Sequence, residues 1–133
     1  MHNLEHNPFV LIPPVAMVPI ECDTDRVIAR DTARRIAGTL GFAPIRQAQI
    51  SSAAAELVEL ILRTGKRHEL EFNGVQDGDQ VGLQVRCSVP WLRDAPEART
   101  AASLQKKLGE LTDMITFESG DIPQITMLVW QAG

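Results

Sequence analysis

Residues 50–65, reading ISSAAAELVELILRTG, place the tightest condition on what this chain can fold into. Ile50, Ala53, Ala54, Leu57, Leu60, Ile61 and Thr64 recur at the three-and-four spacing of one helix face. Ser52, Glu56, Glu59 and Arg63 gather on the other side. The spacing predicts an amphipathic helix whose apolar stripe must lie against another element. The alanines at 53–55 let that element approach closely, and Gly65 suits the left-handed position that ends helices. Glu56 falls on the margin between the two faces, so its chemistry depends on whether that margin meets a pocket or water.

From His68 onward the period changes to two. Leu70 and Phe72, then Val81, Leu83, Val85 and Cys87, alternate with polar residues on either side of a Gly/Asn/Asp-rich connection at 73–79. This pattern predicts a hairpin in an antiparallel sheet with one face covered and one wet.

Upstream, Asp23, Thr24 and Asp25 are N-cap candidates. Val27, Ile28, Ala33, Ile36, Ala37 and Leu40 then give a helical stripe with Arg26, Arg30, Arg34 and Arg35 outside it. Gly41 stops that helix, and Ala43-Pro44 redirects the chain into the next one at about Ile45.

Residues 1–14 read as an irregular arm, and 15–133 as a single domain. Residues 15–22 form an extended segment that Pro19 confines to a sheet edge, because proline cannot donate to a ladder. After the two-proline break around Trp91, Ala98, Ala101, Ala102, Leu104, Leu108 and Leu111 predict a third helix. It leads into an extended segment at 114–118, a turn at 119–123 and a strongly apolar strand at 125–130, with Trp130 in the core. The order of strand, two helices, hairpin, helix and hairpin predicts an α/β (α+β) two-layer sandwich. Its mixed, largely antiparallel sheet is covered on one face by three helices.

Composition narrows the function classes. A chain of 133 residues, 44% apolar, is one domain with a real core. Its net charge of −4 and scattered basic residues, paired only as Arg34-Arg35, Lys66-Arg67-His68 and Lys106-Lys107, argue against a nucleic-acid footprint. Cys22 and Cys87 stand far apart with no zinc-ligand spacing or disulfide framework, and read as buried thiols in a reducing cytoplasm. His2 and His6 have metal-ligand spacing only if helical, and Pro8 follows them, so no metal site is expected.

No apolar run reaches the ~20 residues of a spanning helix. The apolar stretch 9–20 holds Pro13, Pro14 and Pro19 and has neither a basic leader nor a cleavage site, so a cytoplasmic protein is expected.

Residues 30–41 followed by Ile50-Ser51-Ser52-Ala53-Ala54-Ala55-Glu56-Leu57 resemble the anti-sigma-factor serine kinases of bacterial stress switches, members of the histidine-kinase-like ATPase superfamily. The resemblance runs from about Ile20 to Gln131. It includes Leu40-Gly41-Phe42 closing the first helix, Ala55-Glu56-Leu57 in the second, and the ending from Leu111 through Glu118 to Trp130. It implies the ATPase fold of that superfamily.

In active members the second helix carries Glu-x-x-x-Asn. The Glu polarises the attacking hydroxyl or water, and the Asn supplies an oxygen to the Mg²⁺ that bridges the phosphates. Here Glu56 matches the first position and Leu60 occupies the second, where it cannot ligate magnesium. Glu59 is rotated by about 100° and substitutes poorly.

Two glycine motifs that the resemblance calls for are also missing. Where an Asp-x-Gly-x-Gly would take the adenine, the chain reads Arg86-Cys87-Ser88-Val89-Pro90-Trp91. Where a Gly-rich loop would cradle the phosphates, it reads Ala95-Pro96-Glu97-Ala98. Each loss costs on the order of a few kcal/mol of nucleotide binding, and together they exceed a micromolar affinity.

The expectation is therefore a non-catalytic pseudokinase without ATP or metal that binds a protein partner in a bacterial switch. The partner classes implied are a sigma factor, an anti-sigma-factor antagonist or a regulatory phosphatase. Glu56 is either a vestigial base lining a closed pocket or the edge of a solvated helix face, and the second reading is favoured. Trp91 and the arginine face of the first helix (Arg26, Arg30, Arg34) are the partner-binding candidates, Trp91 as an interface anchor or as a filler of the emptied cleft. Two alternatives stand beside this. One is an active ATP-binding serine kinase or anti-sigma factor with a rebuilt site. The other is a structural module that self-associates, as a homodimer, through the sheet edge near Pro19.

Overall fold

The computed structural model describes residues 9–63, 67–88, 105–118 and 124–132. Five strands and two long helices appear in the order β1 (Val10–Ile20), α1 (Thr24–Thr39), α2 (Pro44–Arg63), β2 (His68–Asp77), β3 (Gln80–Ser88), β4 (Met114–Glu118) and β5 (Gln124–Trp130). Residues 105–108 are also helical and fall inside the expected third helix, whose earlier residues lie outside those described. The fold is an α+β two-layer sandwich. The sheet runs β1-β2-β3-β5-β4, and every neighbouring pair is antiparallel, so the parallel pairing implied by a mixed sheet is absent among the described strands.

The first strand begins earlier than expected. Residues 10–14, read from the sequence as part of an irregular arm, belong to β1. Their two prolines fit because Pro13 and Pro14 fall at a register shift between Ile12 and Val15. A bulge on an edge strand is where missing donors are tolerated. Pro19 sits on the same edge strand, as its chemistry required.

The hairpin is tighter than its composition suggested. Asn73 to Asp77 continue β2, and only Gly78 and Asp79 form the loop. Gly78 takes φ +61°, and among the described residues no non-glycine has positive φ. Glycine at the first of two loop positions is the pattern of a type II′ hairpin turn.

Helix α1 ends in a Schellman motif. Gly41 adopts φ +86°, the Phe42 N–H donates to the Ala37 carbonyl at 2.9 Å, and the Gly41 N–H donates to the Gly38 carbonyl at 3.1 Å. Pro44 then takes the first position of α2, where its missing N–H costs nothing. At the start of α1, Asp23 makes no side-chain cap. Asp25 reaches back instead, its carboxylate accepting from the Glu21 and Cys22 N–H groups at 2.8 and 3.1 Å.

Both helices lie on one sheet face. Ala29, Ala33, Ile36 and Ala37 of α1 and Ile50, Ala53, Ala54, Leu57, Val58 and Ile61 of α2 meet Val18, Ile20, Leu70, Phe72, Leu83, Val85, Ile125, Met127 and Val129 of the sheet. Full burial of a leucine or isoleucine contributes about 1.5–3 kcal/mol, so this layer carries the fold. Val27 and Ile28, read from the sequence as part of the α1 stripe, are each 51% exposed. The buried arc is centred on Ala29, Ala33 and Ile36, which turns Val27 outward onto the side that holds Arg30 and Arg34.

Candidate functional site

Small side chains let α1 and α2 approach closely along one side. Ser51 of α2 is 4% exposed, and its hydroxyl donates to the Arg30 carbonyl of α1 at 3.3 Å. Ser52 and Ala55 continue this short-side-chain strip. The result is a groove of about 300 Å³ lined by Arg30, Asp31, Arg34, Ser51, Ser52, Ala55 and Glu56. Three residues singled out from the sequence, Glu56, Arg30 and Arg34, therefore line one depression. Among the described residues none of the side chains of Arg30, Asp31, Arg34 and Glu56 takes part in an ion pair or hydrogen bond.

Arg26 is placed differently. It spans to α2, where its Nη2 donates to Glu59 Oε1, and it also lies 3.7 Å from the Asp23 carboxylate. Its Nε is buried without a hydrogen-bond partner. Arg26 thus joins the two helices, and Glu59 is occupied by it. Leu60 packs half-buried against the core.

At the end of β3, Cys87 is buried on the helix-covered face, and burial pushes its thiol up to about 12. Its Sγ donates to the Ser88 carbonyl at 3.2 Å. That position therefore presents a neutral thiol. Trp91 lies outside the described residues.

The opposite face of the sheet holds polar residues that sequence reasoning passed over. Asn73, Gln84 and Arg86 are 1%, 2% and 6% exposed there. Asn73 Nδ2 donates to Glu71 and Gln84, and Arg86 Nη2 donates to Gln124 at 2.9 Å. Glu71 and Glu118 stand 4.0 and 3.8 Å from the Arg86 guanidinium. Alternating polar residues in a strand read as a wet face, and no sequence signal distinguishes these buried ones from solvated ones. A smaller recess of about 160 Å³ adjoins them, lined by Met17, Glu69, Glu71, Arg86, Cys87, Ser88 and Gln124. Trp130, expected in the core, is half-buried on this face. Its ring lies against Gly82 and meets Phe9 edge-on at 5.5 Å. The reason is parity: Trp130 is one residue beyond Val129, which points inward.

Among the described residues no group of three or more His, Cys, Asp or Glu side chains is placed to hold a metal ion. No described helix is long and apolar enough to cross a membrane. Comparison with known proteins finds no family model and no curated protein that matches the chain.

Proposed function

We propose that this chain is a non-catalytic regulatory protein, similar to an anti-sigma-factor serine kinase that has lost its ATP site, and that it acts by binding another protein in a bacterial signalling switch. The observation that carries the reading is the disposition of α2. Where active members of that family present a magnesium-ligating oxygen, this helix presents Leu60 packed against the core, and the neighbouring Glu59 is paired with Arg26. Glu56 lines the α1/α2 groove, where Arg30 and Arg34 line the same depression. The stretch 86–91, where the resemblance calls for an adenine-binding acid and glycines, has neither, and its Cys87 is a buried neutral thiol.

A sigma factor, an anti-sigma-factor antagonist or a regulatory phosphatase is the partner class that goes with this reading, and a cytoplasmic location goes with it too. Titration with Mg²⁺ and a fluorescent ATP analogue tests it. No saturable signal is expected below millimolar nucleotide, and saturable binding in the micromolar range overturns the reading in favour of an active kinase.

Self-association is favoured by a separate observation. Strand β1 is a sheet edge, and its Val10, Val15 and Met17 are 68%, 57% and 55% exposed. Sedimentation across a concentration series decides it, since a monomer at every concentration removes this second reading.

A further inference from the structure

The groove between α1 and α2 has a charge pattern that specifies its occupant more narrowly than "a protein". Arg30 and Arg34 stand one helical turn apart on α1, and among the described residues neither guanidinium has a partner. Two forks at that spacing match two carboxylates that are themselves one turn apart on a facing helix, each taken bidentately. Val27 shares this side of α1 and is 51% exposed, so an apolar contact is available one turn before Arg30. The floor is made of Ser51, Ser52 and Ala55, short enough for the backbone of a third helix to approach.

Asp31 and Glu56 line the same groove. They repel a continuous polyanion, which sets this site apart from a nucleic-acid surface, and they leave room for a basic residue flanking the two acids.

We infer that the α1/α2 groove docks an acidic amphipathic helix of a partner protein, with two carboxylates one turn apart engaging Arg30 and Arg34 and an apolar residue meeting Val27. This rests on the proposed partner-binding function and names the surface and chemistry that perform it.

The test uses the full chain and a labelled helical peptide carrying two Glu at i and i+4 with a Leu on the same face. A control peptide of equal composition places the two Glu on opposite faces. Fluorescence anisotropy is expected to show the first peptide binding and the control about ten-fold weaker. The double variant R30E/R34E is expected to lose about ten-fold or more toward the first peptide and to gain affinity for its Lys-for-Glu counterpart. R35E, an exposed arginine of α1 that is not among the groove residues, should leave binding unchanged. Backbone chemical-shift changes should centre on residues 27–34 and 51–56.

Equal binding of the two peptides, no binding of either, or shifts centred on the outer sheet face would overturn the inference. So would a single-stranded oligonucleotide binding the groove as tightly as the first peptide. These outcomes are separable from failure of the functional reading, which micromolar nucleotide binding would show instead.

Discussion

Glu59 of α2 accepts a hydrogen bond from the Arg26 guanidinium of α1 at 2.5 Å, which commits that carboxylate to a contact between the helices. The pair is partly solvated, with side-chain exposures of 31% and 42%, so water and salt screen it. Arg26→Ala and Glu59→Ala are each expected to cost little. Denaturant unfolding of the two single variants and the double variant should give a coupling of about 0.2–1 kcal/mol that shrinks in high salt. A coupling indistinguishable from zero at low salt would mean that this pair adds nothing to holding the two helices together.

Leu60→Asn restores the side chain that the resemblance calls for, without restoring its surroundings. Leu60 packs half-buried against the core, so replacing it by an amide should cost on the order of 1 kcal/mol of stability. On the proposed reading, Mg²⁺-dependent nucleotide binding is still expected to be absent, because the acid and glycines that the resemblance calls for at 86–91 are missing from the sequence. Equilibrium unfolding and a nucleotide titration of the same variant check both halves.

The two thiols should differ sharply. Cys22, expected from the sequence to be buried, lies exposed in the link between β1 and α1, whereas Cys87 is 3% exposed with its thiol held neutral by burial. An aromatic disulfide reagent at neutral pH should modify one thiol per folded chain quickly and the second only on unfolding. Cys22→Ser should abolish the fast phase.

Burial of Cys87 also has a pH consequence. The thiol ionises from about 9 when unfolded and only near about 12 when folded, so its contribution is complete below pH 9 and is lost as pH rises through that window.

Asp25 works in the opposite sense. The N–H groups of Glu21 and Cys22 hold its carboxyl below the usual carboxylate range. A depressed folded value means stability that is present above the ordinary carboxylate pKa of about 3.9 and is lost as pH falls through the lowered one. Asp25→Asn should therefore lower Tm at neutral pH and flatten the acid limb of the stability profile. An unchanged acid limb, followed by circular dichroism from neutral to strongly acidic pH, would show that the reach-back cap contributes nothing.

How much of this was legible depended on which interactions are local. The helix from Pro44 to Arg63 and the stop at Gly41 follow from periodicity and from glycine's access to positive φ, both written in adjacent residues. The β2/β3 hairpin was legible as an element, but its turn was not placed. Asn73 and Gly74 look like turn residues, yet pairing with β1 and β3 keeps them extended. The prolines at 13 and 14 misled for a similar reason, since only the register of β1 on β2 reveals that they sit at a bulge. Val27 and Ile28 looked like core because a short stripe fits two rotations of a helix equally well, and the sheet beneath chooses one. In the candidate groove, Glu56, Arg30 and Arg34 were visible as separate candidates. Their assembly into one depression depends on the packing of α1 against α2, which the Ser51 hydroxyl bond to Arg30 fixes at close range.

The proposed function needs no nucleotide, and thermal unfolding with and without MgATP separates it from that of an active kinase. A ligand at a thousand-fold excess over its Kd stabilises the native state by about 4 kcal/mol, which in a domain of this size raises Tm by several degrees. At millimolar MgATP the account predicts a Tm unchanged within error, for the native chain and for Leu60→Asn alike. A magnesium-dependent rise of several degrees in the native chain would contradict it.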